Sequence, residues 1–275
     1  MCIRDRTYFL NNKVEFLKSI LRKIEMYLKT RSVDSSSSCD SSDKSGGFHP
    51  LIHQDVVKQY LNATSPYRGL LLFHGLGSGK TCTSIGIIEA MKQSNKRIFI
   101  LTPASLRKNY QTQMMFCGSE LFRKTENWEY VEYPTDETKM DFMIQVEKLT
   151  GLPQAYLKKR DGVFLIKKGS FGGEYDRSAI KDKEKELEQQ IQMMIANRFE
   201  FISYNGISLK KWEKRYKKGN KHHNPFHNST VIIDEGHNFV SRIFNALKVK
   251  KTVGSTKLKE TKTTVSTKIY DDLLI

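Results

Sequence analysis

A glycine-rich segment, His74–Thr81, lies between an apolar run and a helical pattern and constrains this chain more than any other feature. The run Leu70–Phe73 predicts a strand, and Cys82–Met91 predicts a helix. Glycines allow successive backbone N–H groups to turn toward one anion, and the N-terminus of the following helix adds its partial positive charge. A strand, such a turn and a helix, in this order, predict a loop that holds the phosphates of a nucleotide.

The last two residues of this phosphate loop carry most of its chemistry. Lys80 can reach the outer phosphates, and the hydroxyl of Thr81 can hold Mg²⁺. The strict pattern has a glycine five residues before Gly79, where this chain has His74, but the adjacent glycines can supply the turn. The residues expected to bind the nucleotide are Gly75, Gly77, Ser78, Gly79, Lys80 and Thr81.

Strands and helices alternate along the rest of the chain. The predicted strands are Arg97–Leu101, Val163–Ile166, Phe199–Ser203 and Thr230–Ile233, and the predicted helices are 51–61, one opened by Thr102–Pro103, Asp141–Leu149, Lys181–Ile195 and Leu209–Tyr216. Apolar strands that alternate with helices predict an α/β fold with a mostly parallel sheet and helices on both faces. Ligands of such sheets bind at the carboxyl ends of the strands, where the phosphate loop, Thr102, Tyr204 and Asp234 are predicted to lie.

The beginning of the chain has a different character. Residues 1–6 look foreign to the rest of the chain, and no structure or function is inferred from them. Apolar positions three and four residues apart predict a helix over Asn11–Lys29, within the segment 1–31. The serine-rich stretch 32–47 has almost no apolar content, which predicts a flexible linker. Residues 48–275 are then predicted to form one nucleotide-binding domain.

A second motif, Asp234–His237, follows the last predicted strand. An aspartate at a strand tip can hold Mg²⁺, and the neighbouring Glu235 can orient and deprotonate the attacking water. An acidic pair in the same chain as a phosphate loop therefore predicts nucleotide hydrolysis. His237 is placed to sense the nucleotide state, and the alternative is a local hydrogen bond at the N-terminus of a helix.

The charge of the chain favours a polyanionic partner. It has 46 Lys and Arg against 30 Asp and Glu, a formal net charge of +16. Within Lys210–Lys218, Trp212 and Tyr216 can stack on bases while the lysines neutralise phosphates. The alternative, which we favour, is that both aromatics pack on the core and the lysines face water. The lysine-rich run Lys248–Lys268 predicts a mobile loop.

Neither a membrane span nor a secretory signal is predicted. No apolar run approaches the roughly 18 residues that a spanning helix needs, and the N-terminal segment has charges every few residues. We therefore expect a soluble, intracellular protein without membrane contact.

The two nucleotide motifs, together with Leu101–Leu106 and Phe201–Gly206, resemble those of superfamily 2 DExH helicases and translocases. The chain is most similar in character to the helicase-like ATPases of large DNA viruses, such as the poxvirus early transcription factor small subunit, the nucleoside triphosphatase of viral transcription and their giant-virus relatives. The resemblance covers about residues 48–245 and implies a RecA-like P-loop NTPase domain that uses ATP and Mg²⁺.

The same resemblance implies roles for individual residues. The implied catalytic residues are Lys80, Glu235 and His237, and the implied Mg²⁺ ligands are Thr81 and Asp234. Gln54 resembles the upstream glutamine that reads adenine, although a glutamine on a helix is commonly just solvated. The residues expected to contact nucleic acid are Thr102, Pro103, Ser105, Tyr204 and Asn205.

The implied function is an ATP-dependent nucleic-acid helicase or translocase. The alternative is a viral transcription initiation or termination ATPase that acts on DNA without unwinding it. A small-molecule phosphotransferase is a third hypothesis, which the basic charge and the Asp-Glu-x-His motif disfavour. The expected partners are nucleic acid, DNA in preference to RNA, and subunits of a viral RNA polymerase or transcription factor, in the virion, the host-cell cytoplasm or a virus factory.

Motors of this superfamily have two RecA-like domains, and the second supplies an arginine finger that accelerates hydrolysis. Nothing after His237 resembles it, and the remaining residues are too few for another such domain. We therefore expect an N-terminal fragment, in which the first RecA-like domain is truncated at its C-terminus and the second is absent. We expect it to bind ATP weakly and hydrolyse it poorly.

Overall fold

The computed structural model describes residues 14, 18, 21–22, 24–26, 29, 48, 50–61, 69–75, 77–91, 96–124, 127–135, 137–166, 177–217, 223–247 and 264–274. The chain divides into two compact units, Met1–Ser94 and Asn95–Ile275, a division inside the segment that the sequence predicts as one domain. The described residues between 14 and 29 are all helical, and the predicted linker 32–47 lies outside the described residues. Among the residues that the structure describes, no helix has the length and apolar character that a membrane crossing requires.

The first unit contains helices α1 (Ile52–Tyr60) and α2 (Lys80–Met91), both close to their predicted bounds. The strand predicted before the phosphate loop is not formed, since Gly69–Phe73 has neither helix nor strand and pairs with no described strand. Leu71 and Phe73 are 88% and 93% exposed. An apolar run becomes a strand only when a neighbouring strand satisfies its backbone groups, and the sequence pattern alone does not supply that neighbour.

The second unit mixes helices and strands. Its strands are β1 (Arg97–Thr102), β2 (Trp128–Glu132), β3 (Gly162–Ile166), β4 (Glu200–Ser203) and β5 (Ser229–Ile233). Its helices are α3 (Arg107–Cys117), α4 (Lys139–Thr150), α5 (Gln154–Leu157), α6 (Arg177–Arg198), α7 (Leu209–Trp212), α8 (Gly236–Leu247) and α9 (Val265–Leu274), with a π-helical turn at Glu213–Lys217.

Three of these strands form a parallel sheet in the order β4–β1–β5, and β2 and β3 form a separate antiparallel pair. In the parallel sheet, Thr102 lies opposite Ser203, and Leu101 lies opposite Ile233. β1 is buried from its second residue to its last, as expected of a central strand covered on both faces. The predicted α/β fold with a mostly parallel sheet is confirmed, and the carboxyl ends of β1, β4 and β5 meet at one edge.

Two helices begin at residues that the sequence did not predict. α3 begins at Arg107 rather than at Pro103, because Thr102 is still paired in β1 and a turn follows it. α9 begins at Val265, inside the run predicted as a mobile loop. Its start is stabilised by Thr264 and Thr267, each of whose hydroxyls accepts a hydrogen bond from the backbone N–H of the other.

One hydrophobic cluster joins strands of the parallel sheet to helices of the second unit. Its buried members are Phe99, Leu101, Ile202, Tyr204, Trp212, Tyr216, Phe226, Phe239, Ile243, Val265 and Ile269. The rings of Trp212 and Tyr216 lie 4.3 Å apart between centroids, at the π-helical turn. Both aromatics of the segment Lys210–Lys218 therefore belong to the core, as the favoured interpretation predicted, but Lys217 is buried rather than facing water.

Candidate functional site

The phosphate loop has a backbone that fits an anion. Gly77 and Gly79 have φ of +79° and +75°, in the left-handed region that glycine adopts without strain. A Cβ added at Gly75 or Gly77 would meet no atom within 4 Å, so the space beside the loop is open. The hydroxyl of Ser78 donates to the carbonyl of Gly75 at 2.8 Å and closes the turn. Such a turn at a helix N-terminus suits the phosphates of a nucleotide.

Lys80 begins α2 and folds back over the loop. Its Nζ donates to the carbonyl oxygens of His74 at 3.3 Å and Gly75 at 3.0 Å. Neutral carbonyls are weaker partners for an ammonium than anionic oxygens, so a phosphate can compete for this amine. Thr81 follows on α2 and is half-buried, and its carbonyl accepts from the hydroxyl of Ser84. The first turn of α2 thus carries an ammonium and a hydroxyl beside the loop.

Gln54 on α1 packs directly against the phosphate loop. Its side-chain amide donates to the carbonyls of Ser78 at 3.4 Å and Gly79 at 3.3 Å, and its Oε1 accepts from the backbone N–H of Leu51 at 2.9 Å. Gln54 is 6% exposed, and a Cβ added at Gly79 would lie 2.4 Å from its Nε2. The side chain is not a solvated surface amide: it holds the outward-facing carbonyls of the loop.

Two histidines without a predicted role flank the same loop. The Nε2–H of His53 donates to the carbonyl of Ser78 at 2.9 Å, and the His53 and His74 rings meet edge to face with centroids 5.2 Å apart. Burial lowers the pKa of His74, and the nearby His53 and Lys80 lower it further. His53 could have been identified from the sequence by its position next to Gln54, because adjacent residues of one helix can contact the same loop.

The acidic motif begins at the carboxyl end of β5. The backbone N–H of Asp234 donates to the carbonyl of Leu101 at 2.9 Å, which extends the pairing with β1. Glu235 then turns the chain with φ of +51°, and its carbonyl accepts from the N–H of Asn238 at 2.8 Å at the start of α8. Non-glycine residues with positive φ are uncommon and concentrate at functional sites.

His237 pairs with the glutamate of the same motif. Its Nδ1 lies 3.2 Å from Oε2 of Glu235, and the two side chains are 72% and 38% exposed. This is the local contact at a helix N-terminus that the sequence analysis gave as the alternative role of His237. The contact also leaves the imidazole beside the carboxylate that is predicted to activate water, so it is compatible with both roles.

Tyr204 lies behind the acidic motif rather than on the surface. It is 2% exposed, and its hydroxyl donates to the carbonyls of Glu235 at 3.3 Å and Asp234 at 3.5 Å. Burial, followed by the carboxylates of Asp234 and Glu235, raises the pKa of Tyr204 to about 12. The sequence indicated Tyr204 by its position after β4 but not its direction, since a strand-end residue can face either way.

The residues predicted to contact nucleic acid divide into buried and exposed. Thr102 and Pro103 are buried, and the Thr102 hydroxyl donates to the carbonyl of Pro103. Ser105 and Asn205 are exposed. Oδ1 of Asn205 accepts from the backbone N–H of Ala104 at 2.7 Å, which joins the loop after β1 to the turn after β4.

Metal-binding side chains do not cluster in the described part of the chain. No group of three or more His, Cys, Asp or Glu there could hold a metal ion. A magnesium site made from one hydroxyl, one carboxylate and phosphate oxygens needs no such cluster. The two predicted Mg²⁺ ligands lie in different units, Thr81 in the first and Asp234 in the second.

Comparisons with known proteins identify a family. The family model described as "Type III restriction enzyme, res subunit" matches residues 12–263. No solved structure matches.

Viral proteins are among the relatives of this chain. "Putative ATP-dependent RNA helicase R563" of Acanthamoeba polyphaga mimivirus is 44% identical over 63 residues, which are 23% of this chain and 11% of that protein. "Putative helicase 009L" of Frog virus 3 is 38% identical over 71 residues, 24% of this chain and 8% of that protein. "Putative helicase 087L" of Invertebrate iridescent virus 3 is 23% identical over 189 residues, 68% of this chain and 15% of that protein. The chain thus spans a small part of each relative, and the predicted resemblance to helicase-like proteins of large DNA viruses is confirmed.

Proposed function

This chain belongs to the family described as type III restriction enzyme, res subunit, and from that premise we propose that it is the ATP-binding motor domain of a superfamily 2 helicase or translocase. The observation that carries the proposal is the phosphate loop, where two left-handed glycines precede a lysine at the start of α2. Such a loop binds phosphate through backbone N–H groups, the helix N-terminus and the lysine ammonium. The proposed activity is hydrolysis of ATP coupled to work on nucleic acid.

We propose distinct roles for the residues of the two motifs. Lys80 binds the outer phosphates, and Thr81 and Asp234 hold Mg²⁺, which neutralises phosphate charge when bound. Glu235 orients the attacking water and takes its proton. His237 holds the carboxylate of Glu235 through the 3.2 Å contact between them.

We propose that Gln54 acts on the nucleotide in two ways: it contacts the adenine, and it positions the phosphate loop. Its amide N–H groups and its Oε1 already have partners in Ser78, Gly79 and Leu51. To read adenine, the side chain would have to exchange some of these partners for the base. Binding of the adenine base would then release a hydrogen bond between Gln54 and the phosphate loop. This exchange would link binding of the base to binding of the phosphates.

Nucleic acid is proposed to bind at the carboxyl edge of the parallel sheet. Ser105 and Asn205 are exposed there, whereas the side chains of Thr102, Pro103 and Tyr204 are buried. We therefore assign direct contacts to the side chains of Ser105 and Asn205 and to the exposed backbone next to each of them. The buried three support this surface from beneath.

Phosphate release by the purified full-length protein tests the proposal, because slow hydrolysis is expected of this chain alone. Single-stranded DNA and RNA are added separately, because the mimivirus relatives are named RNA helicases and the charge of the chain does not distinguish the two. Glu235→Gln is expected to lower turnover by about 100-fold, the contribution of a general base, while leaving ATP binding intact. Equal turnover in Glu235→Gln and wild type would contradict the assignment.

The same assay separates the alternatives. Turnover that rises with nucleic acid, together with strand displacement, supports a helicase. Stimulation without strand displacement supports a transcription ATPase that acts on DNA without unwinding it. Hydrolysis that responds to no nucleic acid contradicts the motor proposal and favours a small-molecule phosphotransferase.

A further inference from the structure

We propose that the turn Tyr204–Asn205 links nucleic acid bound at the loop Pro103–Ser105 to the conformation of Asp234–Glu235. The inference rests on the proposed function and adds a positioning role that connects its two ligands. Each part of the link lies in the second unit, at the edge where β1, β4 and β5 end. The turn Tyr204–Asn205 lies between the two ends of this link, because it follows β4 and contacts the segments after β1 and β5.

The contact toward the acidic motif is made by a buried hydroxyl. Tyr204 is 2% exposed, and its hydroxyl donates to the carbonyls of Glu235 and Asp234, hydrogen bonds that take the place of hydration. The Tyr204 ring also meets Phe239 of α8 edge to face, with centroids 5.3 Å apart. A displacement of Tyr204 therefore reaches both the carbonyls of the acidic turn and the helix that follows it.

The contact toward the nucleic-acid surface is made by the next residue. Asn205 is exposed, and its Oδ1 binds the N–H of Ala104 at 2.7 Å. The approach is close at Gly206 too, where an added Cβ would lie 3.3 Å from Cβ of Ala104. A nucleic-acid strand that binds beside Ala104 and Asn205 would push directly on this turn.

The acidic turn is suited to receive such a displacement. Among the described residues other than glycine, only Asn228 and Glu235 have positive φ. A left-handed conformation is strained for a residue other than glycine and persists only while its surroundings hold it. The Tyr204 hydroxyl is one of the groups that hold Glu235, so a small movement of the turn can change the position of the Glu235 carboxylate.

The backbone of Tyr204 is itself anchored. Its carbonyl accepts from the hydroxyl of Ser266 on α9 at 3.3 Å, and α9 packs into the same core through Ile269. The N–H of Gly206 donates to the carbonyl of Ser203 at 3.0 Å. Because of these contacts, we expect the turn Tyr204–Asn205 to move as a rigid unit rather than to deform locally.

Hydrogen exchange on the full chain tests the link without relying on turnover. The readout is the exchange of backbone amides in Asp234–Asn238, with and without a saturating single-stranded oligonucleotide. In wild type, we expect the oligonucleotide to change exchange there by about fivefold or more, the low end of coupling between two sites. Tyr204→Phe is expected to lose this response while its oligonucleotide affinity stays within about twofold of wild type, because the hydroxyl is buried.

Tyr216→Phe is the matched control. It removes a hydroxyl from another buried tyrosine of the same core cluster, and it should keep the response. Asn205→Ala should lose the response, and Asn205→Asp, which keeps the acceptor for Ala104, should retain it once the oligonucleotide is saturating.

Three results would overturn the link. The first is a Tyr204→Phe variant that responds like wild type, and the second is one that binds the oligonucleotide weakly but responds fully at saturation. The third is a wild-type protein that binds the oligonucleotide without any response at 234–238. Absence of oligonucleotide binding by wild type would instead contradict the proposed function.

Discussion

At the scale of single residues, the phosphate loop depends on which groups face its carbonyl side. The sequence identified the glycines and Lys80 because phosphate chemistry requires those residue types at that spacing. It did not identify His53, and it gave no reason for Gln54 to lie against Gly79, because neither contact follows from a local pattern. In the structure both side chains of α1 donate to carbonyls of the loop.

Alanine at two glycines of the loop separates backbone strain from packing. Both Gly77 and Gly79 have positive φ, but only at Gly79 would the new Cβ approach Gln54, at 2.4 Å from Nε2. We expect the free energy of unfolding, from urea denaturation, to fall by about 1 kcal/mol in Gly77→Ala and by about 2–3 kcal/mol in Gly79→Ala. Equal losses in the two variants would show that the contact with Gln54 contributes nothing.

The ionisation of Tyr204 predicts a change in stability in alkali. Its pKa is raised from 10.0 to about 12 in the folded protein, so the unfolded chain loses this proton at lower pH than the folded one. The stabilisation is complete below pH 10 and is lost as pH rises from 10 to about 12. Urea midpoints measured across this window should fall less steeply in Tyr204→Phe than in wild type, and parallel curves would contradict the assignment.

At the scale of secondary structure, strands were predictable where their apolar residues are continuous, in β3 as well as in the parallel sheet. Continuous apolar residues gave β1, β4 and β5 nearly to the residue. β2 was missed because its charged residues interrupt the apolar run, with only the first of its five residues buried. The apolar run Leu70–Phe73 was predicted as a strand by the same rule and is not one, since pairing depends on a neighbour rather than on composition.

A buried ion pair anchors helix α9 within the second unit. Breaking this pair tests how much it contributes to the free energy of unfolding. Nζ of Lys217 lies 2.5 Å from Oδ1 of Asp272, with side chains 9% and 7% exposed. Lys217→Met leaves a buried carboxylate without its cation, and we expect urea denaturation to show a loss of about 3–5 kcal/mol.

Two further variants serve as controls for that prediction. The double change Lys217→Met with Asp272→Leu removes both charges and should recover most of the loss. Arg97→Met breaks the pair with Glu200, whose side chains are 60% and 25% exposed, and should cost about 1 kcal/mol or less. A Lys217→Met variant as stable as Arg97→Met would contradict the anchoring role of α9.

At the scale of the whole molecule, fold class and family were predictable, and the arrangement of the acidic edge was predictable in part. Parallel strands bring their carboxyl ends together, so the grouping of Ser105, Asn205 and Asp234 at one edge followed from the order of elements. The burial of Tyr204 did not follow, because it depends on Phe239 and Ser266, which lie far along the chain. Long-range packing of this kind leaves no local signal in one sequence.

The central claim is that the phosphate loop binds ATP through Lys80. The most direct measurement is equilibrium binding of a fluorescent ATP analogue with Mg²⁺ to the purified protein, in wild type, Lys80→Ala and the control Lys58→Ala. We predict saturable, Mg²⁺-dependent binding that weakens about tenfold or more in Lys80→Ala, because the phosphates lose their cation, and that is unchanged in Lys58→Ala. Binding that is absent in wild type, or equal in wild type and Lys80→Ala, would contradict the account.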